Sequence, residues 1–176
     1  MARRKLLTPD ERQALLGIPD DEESLIRHYS LSPQDRLQAD VRRRPHNQLG
    51  YAVQLCIMRY PGRVLGMGED PPAALVSYVA EQLGINPGAF ASYARRIPTR
   101  FEHSHRLAKY LGVRTATRED RRAALLAAAE AASATESGLP IMTAVVNELR
   151  RRGALLLPDG GARKVCAINL GNLDEA

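Results

Sequence analysis

Glu102-His103-Ser104-His105 gathers residue types that serve acid–base catalysis, metal ligation and nucleophilic attack in four consecutive positions. Their spacing argues against all three roles. On a helix His103 and His105 stand about 200° apart and point to opposite faces, whereas a helical zinc pair needs i, i+4 spacing. No Cys or Asp lies close by to complete a ligand set. Ser104 lacks the strand-turn-helix elbow that exposes a serine nucleophile. A hydrolase is not expected, and neither a catalytic residue, a metal site nor a cofactor is assigned. Arginines are the side chains whose distribution does point to a function.

The chain has 176 residues and a formal net charge of +5, and its charges are segregated along the sequence. From Val41 to Gly68 there is no Asp or Glu, while Arg42, Arg43, Arg44, Arg59 and Arg63 are present. A second basic block runs from Arg95 to Arg122, with Arg95, Arg96, Arg100, Arg106, Lys109, Arg114, Arg118, Arg121 and Arg122 against only Glu102, Glu119 and Asp120. Guanidinium groups bind phosphate and guanine bidentately, so two such blocks suit a nucleic-acid partner. A solvated surface is the alternative for either block taken singly.

Between the blocks, residues 72–97 read as two short helices hinged at Gly84, a helix-turn-helix pattern. Ala80 is small where the helices would cross, Gly84 supplies the left-handed turn, and Val79, Leu83, Ile85, Phe90 and Tyr93 fall inward. The second helix would start near Pro87 and carry Ser92, Arg95 and Arg96 toward a groove or its phosphates. With Thr99, Arg100 and His103 following, this is the expected DNA surface, joined by Arg42, Arg43, Arg44, Arg59, Arg63 and Arg114. A guanidinium on guanine contributes roughly 1–3 kcal/mol of discrimination, and one on phosphate contributes mainly salt-sensitive affinity.

The elements that must position these groups are helical. Thr8-Pro9-Asp10-Glu11 is a capping-box start for a helix ending at Gly17, and Asp21–Tyr29 makes a second. Ser32-Pro33 opens a third to about Arg43, closed by Pro45. Leu49, Val53, Cys56, Ile57 and Tyr60 recur at helical spacing over about 46–59, stopped by Pro61-Gly62. Thr99 is read as the cap of a helix over 100–111, Thr117 as the cap of one over 118–132, and 140–152 forms the last. Ala154–Leu157 is the one extended segment.

The fold class is therefore all-α, a bundle of about seven to eight short helices including the helix-turn-helix-like unit. Residues 1–63 are expected as an N-terminal helical subdomain, 72–157 as a second one, and 158–176 as a poorly ordered tail. Cys56 and Cys166 make neither a disulfide framework nor a zinc cluster, and no signal peptide or membrane-length apolar run is apparent. A reducing bacterial cytoplasm is expected, with nucleoid association when DNA is bound.

Asn47-Gln48-Leu49-Gly50-Tyr51-Ala52-Val53-Gln54-Leu55-Cys56-Ile57-Met58-Arg59-Tyr60-Pro61-Gly62-Arg63 resembles a stretch in the N-terminal region of the transposases of the Tn-three family of replicative transposons. Val79-Ala80-Glu81-Gln82-Leu83-Gly84, Tyr93-Ala94-Arg95-Arg96, Thr99-Arg100-Phe101-Glu102-His103 and Leu111-Gly112-Val113-Arg114 follow in that family's order. The resemblance covers about residues 1–157. It implies a helical module that helps a transposase bind its terminal inverted repeats, upstream of an RNase H-like core holding two metal ions with three carboxylates. That core is not expected in this chain, which reads as a truncated or stand-alone piece of such a transposase.

Two functions stay open at this level. One is binding of double-stranded transposon-end DNA. The other is a protein-interaction module that self-associates or docks on the catalytic part of a full-length transposase, with no direct sequence-specific DNA contact. Supplied alone, a DNA-binding piece would compete with a complete transposase for the ends.

Overall fold

The structure is a computed structural model that describes residues 7–66, 69–94 and 97–156. Among these, nine α-helices account for nearly all regular structure. The first four are α1 (Pro9–Leu16), α2 (Glu22–Tyr29), α3 (Pro33–Asp40) and α4 (Pro45–Arg59). After the connector come α5 (Ala73–Leu83), a 3-10 turn (Pro87–Ala89), α6 (Phe90–Ala94) and α7 (Ile97–Leu111). Strand β1 (Arg114–Thr115), α8 (Arg118–Ala134), α9 (Gly138–Arg151) and β2 (Ala154–Leu155) complete the chain. No helix among the described residues is long and apolar enough to cross a membrane.

Caps legible in the sequence set several helix starts. Thr8 accepts from the Glu11 N–H while its own N–H donates to the Glu11 carboxylate, and Ser32 with Asp35 repeats the arrangement in α3. Thr117 and Asp120 do the same for α8. Two boundaries differ from expectation. Helix α3 stops at Asp40, so Pro45 opens α4 instead of closing α3, taking the first helical position where no N–H is needed. Helix α7 begins at Ile97, with Pro98 tolerated in its first turn, so Thr99 is not its cap.

Helix α4 is the centre of the molecule. Every residue from Leu49 to Met58 is buried, because α2, α3, α5, α6 and α7 pack around it. Each of its large aliphatic side chains contributes about 1.5–3 kcal/mol relative to exposure. The main core thus takes side chains from both sides of the 64–72 connector.

A smaller core lies between α8 and α9, where Ala124, Val145, Val146 and Leu149 meet Ala154 and Leu156, with Leu15 and Leu16 packed against them. The expected extended segment finds a partner the sequence did not announce: β1 and β2 pair in parallel, Arg114 opposite Ala154 and Thr115 opposite Leu155. The Leu156 N–H also donates to the Gly62 carbonyl at 2.8 Å, tying this end to the stop of α4. Leu157, Cys166 and the expected tail over 158–176 lie outside the described residues.

Candidate nucleic-acid interface

Between α3 and α4 the chain turns through the arginine triplet. Arg44 is the N-cap residue of α4 and makes no side-chain capping bond, Pro45 follows, and the first turn holds no acid. Arg43 and Arg44 are exposed. The half-buried Arg42 lies with its guanidinium carbon 4.2 Å from the centre of the Tyr51 ring, a cation–π contact. Arg42 Nε, His46 Nε2 and Asn47 Oδ1 are buried without a hydrogen-bond partner among the described residues. The positive end of α4, with no acid in its first turn, and three guanidinium groups together attract anions.

A cluster of rings brings the second basic segment against this corner. Tyr93 of α6 lies on Gly50 of α4 so closely that a Cβ there would meet Tyr93 Cγ at 2.1 Å. His103 of α7 lies near-parallel to Tyr93, with ring centres 5.5 Å apart, and shares a 3.1 Å hydrogen bond with its hydroxyl through Nδ1. It meets Tyr51 edge-on at 5.1 Å. Burial, reinforced by the charge of Arg42, pushes His103 down to about 4, so the ring is neutral near pH 7. One turn earlier on α7, Arg100 donates to the Gly66 carbonyl at 3.0 Å.

The hinge forms as its spacing predicts: Gly84 adopts φ 65°, and its N–H closes the end of α5. The second helix opens with a 3-10 turn, and its described residues continue as α6. Asn86 caps the turn by accepting from the Gly88 N–H at 2.8 Å. Ser92 is exposed and Thr99 half-buried. Arg95 and Arg96 lie outside the described residues.

Besides Arg42 and Arg100, four more of the expected contact residues are engaged inside the fold. Arg63 is buried and paired with Glu69, because the bridge between Arg63 and Leu156 draws this segment under α1. His103 faces α4, whereas Ile97 and Phe101 lie outward at 54% and 77% exposure. Arg59 pairs at 2.8 Å with Asp35, a buried carboxylate that also accepts from Tyr110. Burial raises the Asp35 carboxyl, but the Arg59 and Ser32 hydrogen bonds hold it below the usual range. Arg114 binds Asp120 and keeps half its side chain exposed. An outward Phe101 was readable from the sequence, since His103 and Leu107 at i, i+4 define the buried side of α7.

Residues 6–159 match the family described as Domain of unknown function (DUF4158). The chain is 38% identical over 156 residues to the transposase for transposon Tn21 of Escherichia coli, an alignment covering 89% of this chain and 16% of that protein. It is 35% identical, with the same coverage, to the transposase for transposon Tn501 of Pseudomonas aeruginosa. Against the transposase for transposon Tn1546 of Enterococcus faecium it is 38% identical over 100 residues, 57% of this chain and 10% of that protein. The chain thus spans about a sixth of the length of the first two relatives.

Proposed function

Because the chain belongs to the family described as Domain of unknown function (DUF4158) and corresponds to the N-terminal region of Tn-three family transposases, we propose that it is a double-stranded DNA-binding module that recognises the terminal inverted repeats of a transposon. The observation that carries this reading is the α3–α4 corner. Arg42, Arg43 and Arg44 stand between the end of α3 and the positive end of α4, the most buried helix, whose first turn holds no acid, and Arg43 and Arg44 are exposed. Backbone phosphates are anions of the right kind, and such contacts orient a protein on the duplex without reading sequence.

Base reading falls to the adjoining α6–α7 junction, through Ser92, Thr99 and Arg100 together with Arg95 and Arg96. His103 supports this face from within, while Arg59, Arg63 and Arg114 are held in intramolecular ion pairs. The carboxylates of strand cleavage belong, on this reading, to the remaining five-sixths of a relative's length, and this region supplies binding.

Anisotropy titration tests the proposal, using a labelled duplex selected from a random pool and a scrambled duplex of equal length, each at two salt concentrations. Preferential binding of the selected duplex, weakened in Arg43→Gln/Arg44→Gln and stripped of preference in Arg95→Ala/Arg96→Ala/Arg100→Ala, is the expected result. Equal binding of both duplexes, erased by salt, would leave only a nonspecific basic surface.

Ile97 and Phe101 favour a second reading, in which this region docks on another part of a transposase. Ionic strength separates the two. DNA affinity falls with a log-log slope of about −0.9 per phosphate contact, whereas an apolar interface responds weakly.

A further inference from the structure

The first turns of α8 carry a second concentration of positive charge that the fold does not use. Arg118, Arg121 and Arg122 are all exposed, at i, i+3 and i+4, with the half-exposed Arg114 just before them. Two effects disfavour this placement, although Glu119 and Asp120 in the first turn complement the helix end: cations sit near the positive end, and like charges adjoin at i, i+3 and i+4.

The arginines of α9 make the contrast. Arg150, Arg151 and Arg152 lie at a C-terminal end, where positive charge is favourable, and each is engaged. Arg150 donates to the Pro61 carbonyl, Arg151 binds Glu148, and Arg152 binds Asp120. Arg118 and Arg122 have no ion pair among the described residues, and Arg121 reaches only the Ala116 carbonyl at 3.3 Å. The nearest buried acid, Asp120, is already saturated by Arg114, Arg152 and Thr117. The Asp120 N–H is likewise taken by Thr117, so an anion here would be held by guanidinium groups and not by the helix end.

We propose that Arg118, Arg121 and Arg122 form a second contact with the sugar–phosphate backbone of duplex DNA, separate from the α3–α4 corner. The inference rests on the DNA-binding reading above. The two basic surfaces belong to different packing units, α4 in the main core and α8 in the smaller one. A partner that engages both is an extended polyanion, and duplex DNA presents one charge per about 1.7 Å of its axis. Arg118 and Arg122 stand one helical turn apart, about 6 Å along α8, so they address neighbouring phosphates without needing a base edge. The surface supplies affinity and footprint length, and leaves sequence preference to the α6–α7 junction.

The test compares the 176-residue wild type with Arg118→Gln/Arg121→Gln/Arg122→Gln on the selected and scrambled duplexes across a salt series. Glutamine preserves helix propensity, and circular dichroism checks the fold. The expected result is a salt slope shallower by about 0.9 for each lost contact, with the preference ratio between duplexes unchanged. Lysine at the same three positions restores the slope, and Arg151→Gln leaves it at the wild-type value. A triple variant with the wild-type slope overturns the α8 contact and leaves the DNA-binding reading standing. No binding by the wild type overturns both.

Discussion

His103 belongs to the buried scaffold of the interface. Its ring is enclosed by Tyr51, Tyr93 and the nearby charge of Arg42, and burial first, then that charge, holds it neutral. The depressed value carries a stability consequence with a definite sign. An unfolded chain protonates this histidine below about 6.5, and the folded one resists until about 4. The contribution is therefore fully present above pH 6.5 and is lost as the pH falls toward 4. Ring NMR of the folded protein is expected to give a His103 midpoint of about 4, while a midpoint near 6.5 would contradict the enclosed ring. Arg63 illustrates the same lesson for a permanent charge: it reads as a phosphate ligand in an acid-free stretch, yet Glu69, just beyond that stretch, folds back onto it.

At the scale of elements, the docking of α6 on α4 decides where the hinge unit points. Gly50 is where the Tyr93 ring of α6 lies against α4. An exposed helix would gain about 1 kcal/mol from glycine to alanine, but here the added methyl meets the Tyr93 ring at 2.1 Å. Gly50→Ala is expected to destabilise the protein by about 1–3 kcal/mol, the usual range for overpacking, read from chemical denaturation. A stabilised variant would show that α6 is not seated on α4. Helix α5 is held from its other side by Gln82, whose amide accepts from the Leu31 N–H at 2.7 Å and donates to the Tyr29 carbonyl at 3.1 Å. The hinge unit is thereby clamped between α2 and α4.

For the whole molecule, Asp120 is the joint. Fully buried, it accepts from Arg114 before α8, from Thr117 at the cap and from Arg152 at the end of α9, so one carboxylate ties β1, α8 and α9 together. The Arg114 hydrogen bond above all, with those of Thr117 and Arg152, holds its carboxyl far below the ordinary carboxylate range. A depressed carboxyl contributes stability above its unfolded value of about 3.8 and loses it only as the pH falls through the folded value. Asp120→Asn is expected to lower the melting temperature by a constant gap from pH 7 to pH 5, and that gap narrows once the pH drops below 3.8. Calorimetry across this range checks it, and an equal gap at every pH would mean the loss does not depend on ionisation of Asp120.

Local patterns carried most of the secondary structure. Capping boxes at Thr8, Ser32 and Thr117, the helical spacing through α4 and the left-handed glycine after α5 depend on interactions within a few residues, and these are written in the chain itself. The basic blocks and the family blocks were equally legible, because composition and order need no fold. Tertiary structure decided which charges are free. Arg59, Arg63 and Arg114 look like Arg43 and Arg44 in sequence, but each of the first three finds a carboxylate 6 to 24 residues away. The pairing of β1 with β2 was illegible for the same reason: two residues per strand leave no periodicity, and only the packing of α8 on α9 brings them together. Long-range pairing energy depends on where the backbone places two groups, which no local pattern encodes.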